Sequence, residues 1–345
     1  MKRMLIFVLL VFAFSVCVEG AQIPTAKGEV AAIVPEASDS FLEGLWVVIK
    51  ACVRELDPAL HEAGQTCLRI CAIVILGMLV GGITEKGSLR ALDLATAIAV
   101  GCALLEPSAS MIRLGEETVR SLSEYGKLLL PVMTGSLAAQ GGSAASAGLY
   151  AVTAFFDSVL SSVLSGVILP VLYIYLGISI ANAALGEQIL GKIRDFCKWL
   201  MTWVLKTVLY VFTGFLSITG VVSGATDAAA MKAAKITISG AVPVVGGILS
   251  DASEAVLVGA GLVRSSAGVY GLLTISALFL TPFFQIGSQY LVLKTAGTVC
   301  ASLSDTPASK LILDFAAAMG MILAVASVQT VLLMVSTVCF MRGVG

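Results

Sequence analysis

From Cys67 to its end the chain is a succession of apolar runs, each too continuous for the outside of a water-soluble domain. Residues 68–84 and 91–105 come first, then 128–139, 147–185, 199–222 and 236–250, and 254–303 and 311–341 close the series. A helix needs about 20 apolar residues to cross a hydrocarbon core about 30 Å thick. Blocks 147–185 and 254–303 are long enough for two passes each. With no water to satisfy backbone groups inside a bilayer, apolar runs of this kind cross as helices. The expectation is an all-α, polytopic helical membrane protein with six to eight crossings, a number that hydropathy alone does not fix.

Composition agrees. Of 345 residues 58% are hydrophobic and only 12% charged, and mean hydropathy is +1.00. Soluble domains carry about 25% charged residues, so most of this surface must meet lipid or apolar protein. The net charge of −1 gives no basic patch for nucleic acid.

The first 21 residues have the form of an export signal: Lys2 and Arg3, an uncharged run from Leu5 to Val18, and small residues at Gly20 and Ala21. Residues 22–66 hold seven acids against Lys27, Lys50 and Arg54, which suits an extracytoplasmic place, since basic loops favour the cytoplasm. Phe41, Leu45, Val48, Ile49, Cys52 and Val53 recur there at helical spacing and predict a short amphipathic helix over 38–56. Residues 67–107 form a transmembrane hairpin with Lys86 and Arg90 in its turn, and Gly77 and Gly81 allow its helices to pack closely. Residues 108–127 mix Met111, Leu114, Val119, Leu122 and Tyr125 with six charges, so an amphipathic helix at the membrane surface or docked on a partner helix is expected.

The remainder divides into two membrane units, 128–222 and 223–345, that suggest an internal duplication. Pro131 and Pro243 are 112 residues apart and open similar stretches, LPVMTGSLA and VPVVGGILS; Pro170 and Pro282 are 112 apart as well. Chance spacing of prolines is the alternative. Proline removes a backbone donor and breaks a helix, and helix breaks at matching places in two repeats are the sequence pointer to a transport path. Proline-broken helices are therefore expected at these four positions.

Charged residues in apolar surroundings are the other candidates. Lys206 interrupts the span 199–222 near its basic linker and is expected to snorkel. Lys232 and Lys235 precede the Pro243, Gly246, Gly247 stretch and Asp251 follows it; a re-entrant loop with charges at its mouth competes here with ordinary flanking charges. Asp305 and Asp314 flank Lys310 and predict surface pairs, and Asp157 is the one aspartate well inside an apolar block.

No nucleotide loop, HExxH or GxSxG pattern occurs. The single histidine, His61, reads as an ordinary loop residue, and Cys67 and Cys71 at i, i+4 read as small hydrophobes. No cofactor, metal site or catalytic residue is expected.

The run from Lys232-Ala-Ala-Lys235 through Pro243-Val-Val-Gly246-Gly247 to Ser250-Asp251 resembles the most characteristic segment of the stage III sporulation protein AE family. The stretch from Leu129 through Pro131 to Gly142, the Pro170 break, Gly214–Ser217 and Gly268–Gly271 resemble its other landmarks, so the likeness covers roughly 68–345. It implies a subunit of a channel or secretion-like complex in endospore formation, in the mother-cell membrane that surrounds the forespore. The implied partners are the other stage III sporulation A proteins and the stage II sporulation protein Q. A stand-alone secondary transporter and a membrane scaffold recruiting ring components are the rivals, with an intramembrane enzyme behind them. A conduit should line its proline breaks with polar surface; a scaffold should pack them dry.

Overall fold

The computed structural model describes residues 41–54, 56–83, 88–139, 143–218, 266–304 and 306–342. Every element among them is helical. In chain order they are α1 (Phe41–Arg54), α2 (Leu56–Ile83), α3 (Leu89–Ala139), α4 (Ser143–Val163), a π-helical turn (Leu164–Ile168), α5 (Leu169–Leu185), α6 (Gln188–Ile218), α7 (Ser266–Leu303) and α8 (Pro307–Arg342). Among the described residues, four stretches are long and apolar enough to cross a membrane: Leu42–Ile83, Tyr150–Leu185, Gly268–Leu303 and Pro307–Met341.

Local chemistry sets several boundaries. α1 carries Glu43 in its first turn and Arg54 in its last, each sign matching the helix dipole. α2 opens on Asp57 and Pro58, a pairing that starts helices well, so it begins inside the segment expected to be a polar arm, and His61 lies on this helix and not in a loop. α5 ends at Gly186, whose φ of 68° only glycine adopts without strain and whose N–H donates to the Asn182 carbonyl. At the head of α8 the Thr306 hydroxyl accepts from the Ser309 N–H.

α8 is the axis. The most apolar window of its span is 83% buried, against 17% for the span that contains α2, so α2 lies on the periphery. α7 and α3 run along α8, with α4, α5 and α6 also against it. The core has two layers along the axis. One joins α2, the first part of α3, α5, the last part of α7 and the first part of α8 around Leu172, Tyr175, Phe315 and Ile322. The other joins α1, the later part of α3, the start of α7 and the end of α8 around Leu129, Leu272 and Phe340. α2 and α3 pack closely at Gly77, where a Cβ would stand 2.7 Å from the Thr96 hydroxyl.

One expectation is corrected, that of proline breaks, and residues 108–127 are part of a longer helix. They continue α3, which runs for 51 residues, and Ile112, Val119, Leu122 and Tyr125 are buried, docking this stretch onto its neighbours. Pro131 and Pro282 do not break their helices: α3 passes through Pro107 and Pro131, and α7 through Pro282. A proline deletes one ladder bond, but buried side chains on both sides hold these helices in line, Leu129, Leu130 and Met133 around Pro131, Phe279 and Ile286 around Pro282. Pro170 differs, because the π turn directly precedes it and relieves the ladder locally, α4 and α5 continuing through it.

Candidate functional site

Inside a bundle of apolar helices, polar side chains persist only when they bond one another. The most enclosed such group centres on Asp157 of α4, which is 2% exposed. Ser123 of α3 donates to one carboxylate oxygen at 2.7 Å, and the Gln329 amide of α8 donates to the other. One turn earlier on α4, Thr153 donates to Ser336 of α8 at 3.1 Å. Four residues forward on α4 thus correspond to seven backward on α8, as antiparallel helices require. Gln329 Oε1 is buried with no partner among the described residues. The three-helix junction therefore keeps unused hydrogen-bonding capacity. No ion pair reaches Asp157 among the described residues, and every donor that meets it is neutral.

A second polar group lies at the other core layer. Asp314 of α8 accepts from the Tyr175 hydroxyl of α5 at 3.2 Å and from Arg194 of α6 at 3.0 Å. Arg194 also grips its neighbour Asp195 at 2.8 Å. Partial burial works against the guanidinium charge, but the Asp195 hydrogen bond and the nearby Asp314 charge outweigh it and raise its pKa. Asp314 is thus turned inward, its side chain only 17% exposed, and not into the surface pair expected from its spacing to Lys310.

Of the residues singled out in the sequence, Pro131 lies in α3, Pro170 at the start of α5, Lys206 half-buried in α6 and Pro282 inside α7. Lys232, Lys235, Pro243, Gly246, Gly247 and Asp251 lie outside the described residues. The structure does not bring Pro131, Lys206 and Pro282 into one site. Asp157 was conspicuous in the sequence as an acid in an apolar block; Ser123 and Gln329, its partners from 34 and 172 residues away, were not. Their only signal was a polar residue on the apolar side of a helix. Cys67 and Cys71 stand 3.9 Å apart, half-buried against the core, and on the exposed side of α2 His61 meets Gln65 at 3.0 Å. Among the described residues, no three histidine, cysteine or carboxylate groups are placed to hold a metal ion.

Long apolar helices, a core organised around one enclosed helix and a carboxyl held by neutral donors define an all-α protein of membrane type. The family model for stage III sporulation protein AE matches residues 47–343, and this chain belongs to that family. The stage III sporulation protein AE of Bacillus subtilis (strain 168) is 20% identical over 196 residues, which are 57% of this chain and 49% of that protein, so the match spans about half of the relative's length. No solved structure matches the chain. Family membership gives it a role in sporulation.

Proposed function

We propose that the chain is a non-catalytic membrane subunit of the channel or secretion-like complex between mother cell and forespore, seated in the mother-cell membrane that surrounds the forespore. Its partners there are the other stage III sporulation A proteins and the stage II sporulation protein Q. The observation that carries this reading is the family match, which extends from α1 to the end of α8. On the same reading the export signal is removed, α1 lies on the extracytoplasmic side, the chain crosses six to eight times, and 128–222 and 223–345 are repeats.

The prolines do not separate a scaffold from a pore wall: the flanks of Pro131 and Pro282 include the buried Leu130, Met133, Phe279 and Ile286, whereas Pro131 itself is exposed and Pro282 half-buried. Affinity purification of the tagged chain from sporulating cells in mild detergent tests the proposal. Recovery of the other stage III sporulation A proteins in fixed ratio is expected. Recovery of the chain alone, with solute flux when it is reconstituted in liposomes, favours a stand-alone transporter instead. Sidedness is best read by labelling a cysteine at Glu43, because native Cys52 is fully buried against Thr281.

A further inference from the structure

Between α2, α3 and α7 lies a groove of about 660 Å³, the size of a small-ligand pocket. Glu62 of α2, Glu106 and Glu117 of α3, one base, Arg113, and the amides Gln285 and Gln289 of α7 line it. Three acids against one base leave two formal negative charges, and none of these four residues forms an ion pair among the described residues. Gln289 is only 5% exposed, and its amide nitrogen has no hydrogen-bond partner among the described residues. A buried amide left unpaired is unfavourable, so the groove has a polar group awaiting a partner. A half-turn about the terminal torsion exchanges the amide's nitrogen and oxygen, so Gln289 can accept from a ligand as readily as it donates.

The spacing selects the shape of that ligand. Glu106, Ser110, Arg113 and Glu117 repeat at i, i+4, i+7 and i+11 along one face of α3. Three turns separate the two glutamates by about 16 Å along the axis. Met111 and Leu114 supply apolar lining between them. A divalent metal needs several ligands converging within 2–3 Å, and no such convergence of histidine, cysteine or carboxylate groups occurs among the described residues. Two negative charges spread over that length, with apolar lining between and a cation at Arg113 that drives positive groups towards the ends, match an extended organic dication.

We propose that this groove binds a linear aliphatic α,ω-diamine, with its ammonium groups at the Glu106 and Glu117 ends, its methylenes along Met111 and Leu114, and an N–H directed to Gln289. The inference stands apart from the assembly proposed above.

Equilibrium dialysis of radiolabelled 1,8-diaminooctane against the full-length protein in detergent micelles tests it. Saturable binding of one molecule per chain is expected, weakened at least tenfold by the double change Glu106→Gln, Glu117→Gln and again by Gln289→Leu. Both glutamates are exposed, so the double variant should unfold at the same temperature as the parent. Magnesium chloride should displace the diamine no better than sodium chloride of equal ionic strength. Unsaturable uptake, binding indifferent to the glutamate pair, or specific displacement by magnesium would each overturn the proposal.

Discussion

Gln329 and Asp157, 172 residues apart, meet in the interior of the bundle, the amide of α8 donating to the carboxyl of α4. Ser123 takes up the other carboxylate oxygen, so three helices share one acidic side chain. Apolar packing alone tolerates sliding and rotation between helices, whereas a hydrogen bond reaching each oxygen does not. The junction fixes the register of α3, α4 and α8.

Replacing that carboxyl should therefore separate two variants. Asp157→Leu strands the Ser123 hydroxyl and the Gln329 amide, and at about 1–3 kcal/mol for each unpaired buried group the loss should be about 2–5 kcal/mol. Asp157→Asn keeps an acceptor for Ser123, and a turned Gln329 amide can supply the oxygen its new partner needs, so the loss should stay near 1 kcal/mol. Thermal unfolding in micelles gives the ordering; equal midpoints for the two variants would show that the contact is dispensable.

Gly115 sets how closely α3 approaches α8. A Cβ there would lie 2.3 Å from Ile322 Cγ1, inside the first core layer, where a β-branched side chain has little room to turn aside. Gly115→Ala is expected to cost about 1–3 kcal/mol through overpacking. Gly177→Ala on α5, where nothing lies within 4 Å of the added carbon, should be neutral or slightly stabilising, because alanine is the better helix former. The same unfolding assay compares them. Similar midpoints for the two would mean that the α3–α8 spacing yields freely.

These cases show what the sequence could carry. Apolar run length announced the helices, and Val48 and Cys52 at i, i+4 announced the buried face of α1. Two helix termini were locally encoded as well, by Gly186 and by the Asp57–Pro58 start. Continuity through Pro131 and Pro282 was not legible, because it depends on packing from α7 and α8 that local propensity does not contain. The partners of Asp157 were invisible for the same reason. Asp314 was misread as a surface acid because its nearest base in sequence is Lys310, while its base in space is Arg194, 120 residues away.

Arg194 therefore offers a comparison of two aspartates within one network. Asp195, 66% exposed, shares a solvent-screened pair, and such pairs contribute about 0–1 kcal/mol. Asp314 is 17% exposed and also holds the Tyr175 hydroxyl, so Asp314→Ala leaves a half-buried guanidinium and a buried hydroxyl without their partner. It should cost about 2–4 kcal/mol, Asp195→Ala less than 1 kcal/mol. Raising the salt concentration should erase the smaller effect and spare most of the larger. A larger loss from Asp195→Ala would place the anchor of α6 on the surface.

The outer face of α6 makes the last prediction. Ile189, Ile193, Phe196, Trp199, Trp203 and Tyr210 are all exposed and recur along one stripe, and Trp199 stacks on both Phe196 and Trp203. Lys192 and Lys198 stand beside this stripe. Tryptophan and tyrosine favour the level of the headgroups, where the ring is solvated at one edge only, and lysines reach from there towards water. A water-facing stripe of this size would be a site of aggregation, so lipid is its expected covering. With Trp46→Phe removing the one remaining tryptophan, emission reports on α6 alone. In liposomes that emission should be blue-shifted, quenched strongly by lipids brominated near the headgroup end of the chains, and little affected by aqueous acrylamide. Strong acrylamide quenching with no effect of brominated lipid would remove α6 from the bilayer and leave this stripe to a protein partner.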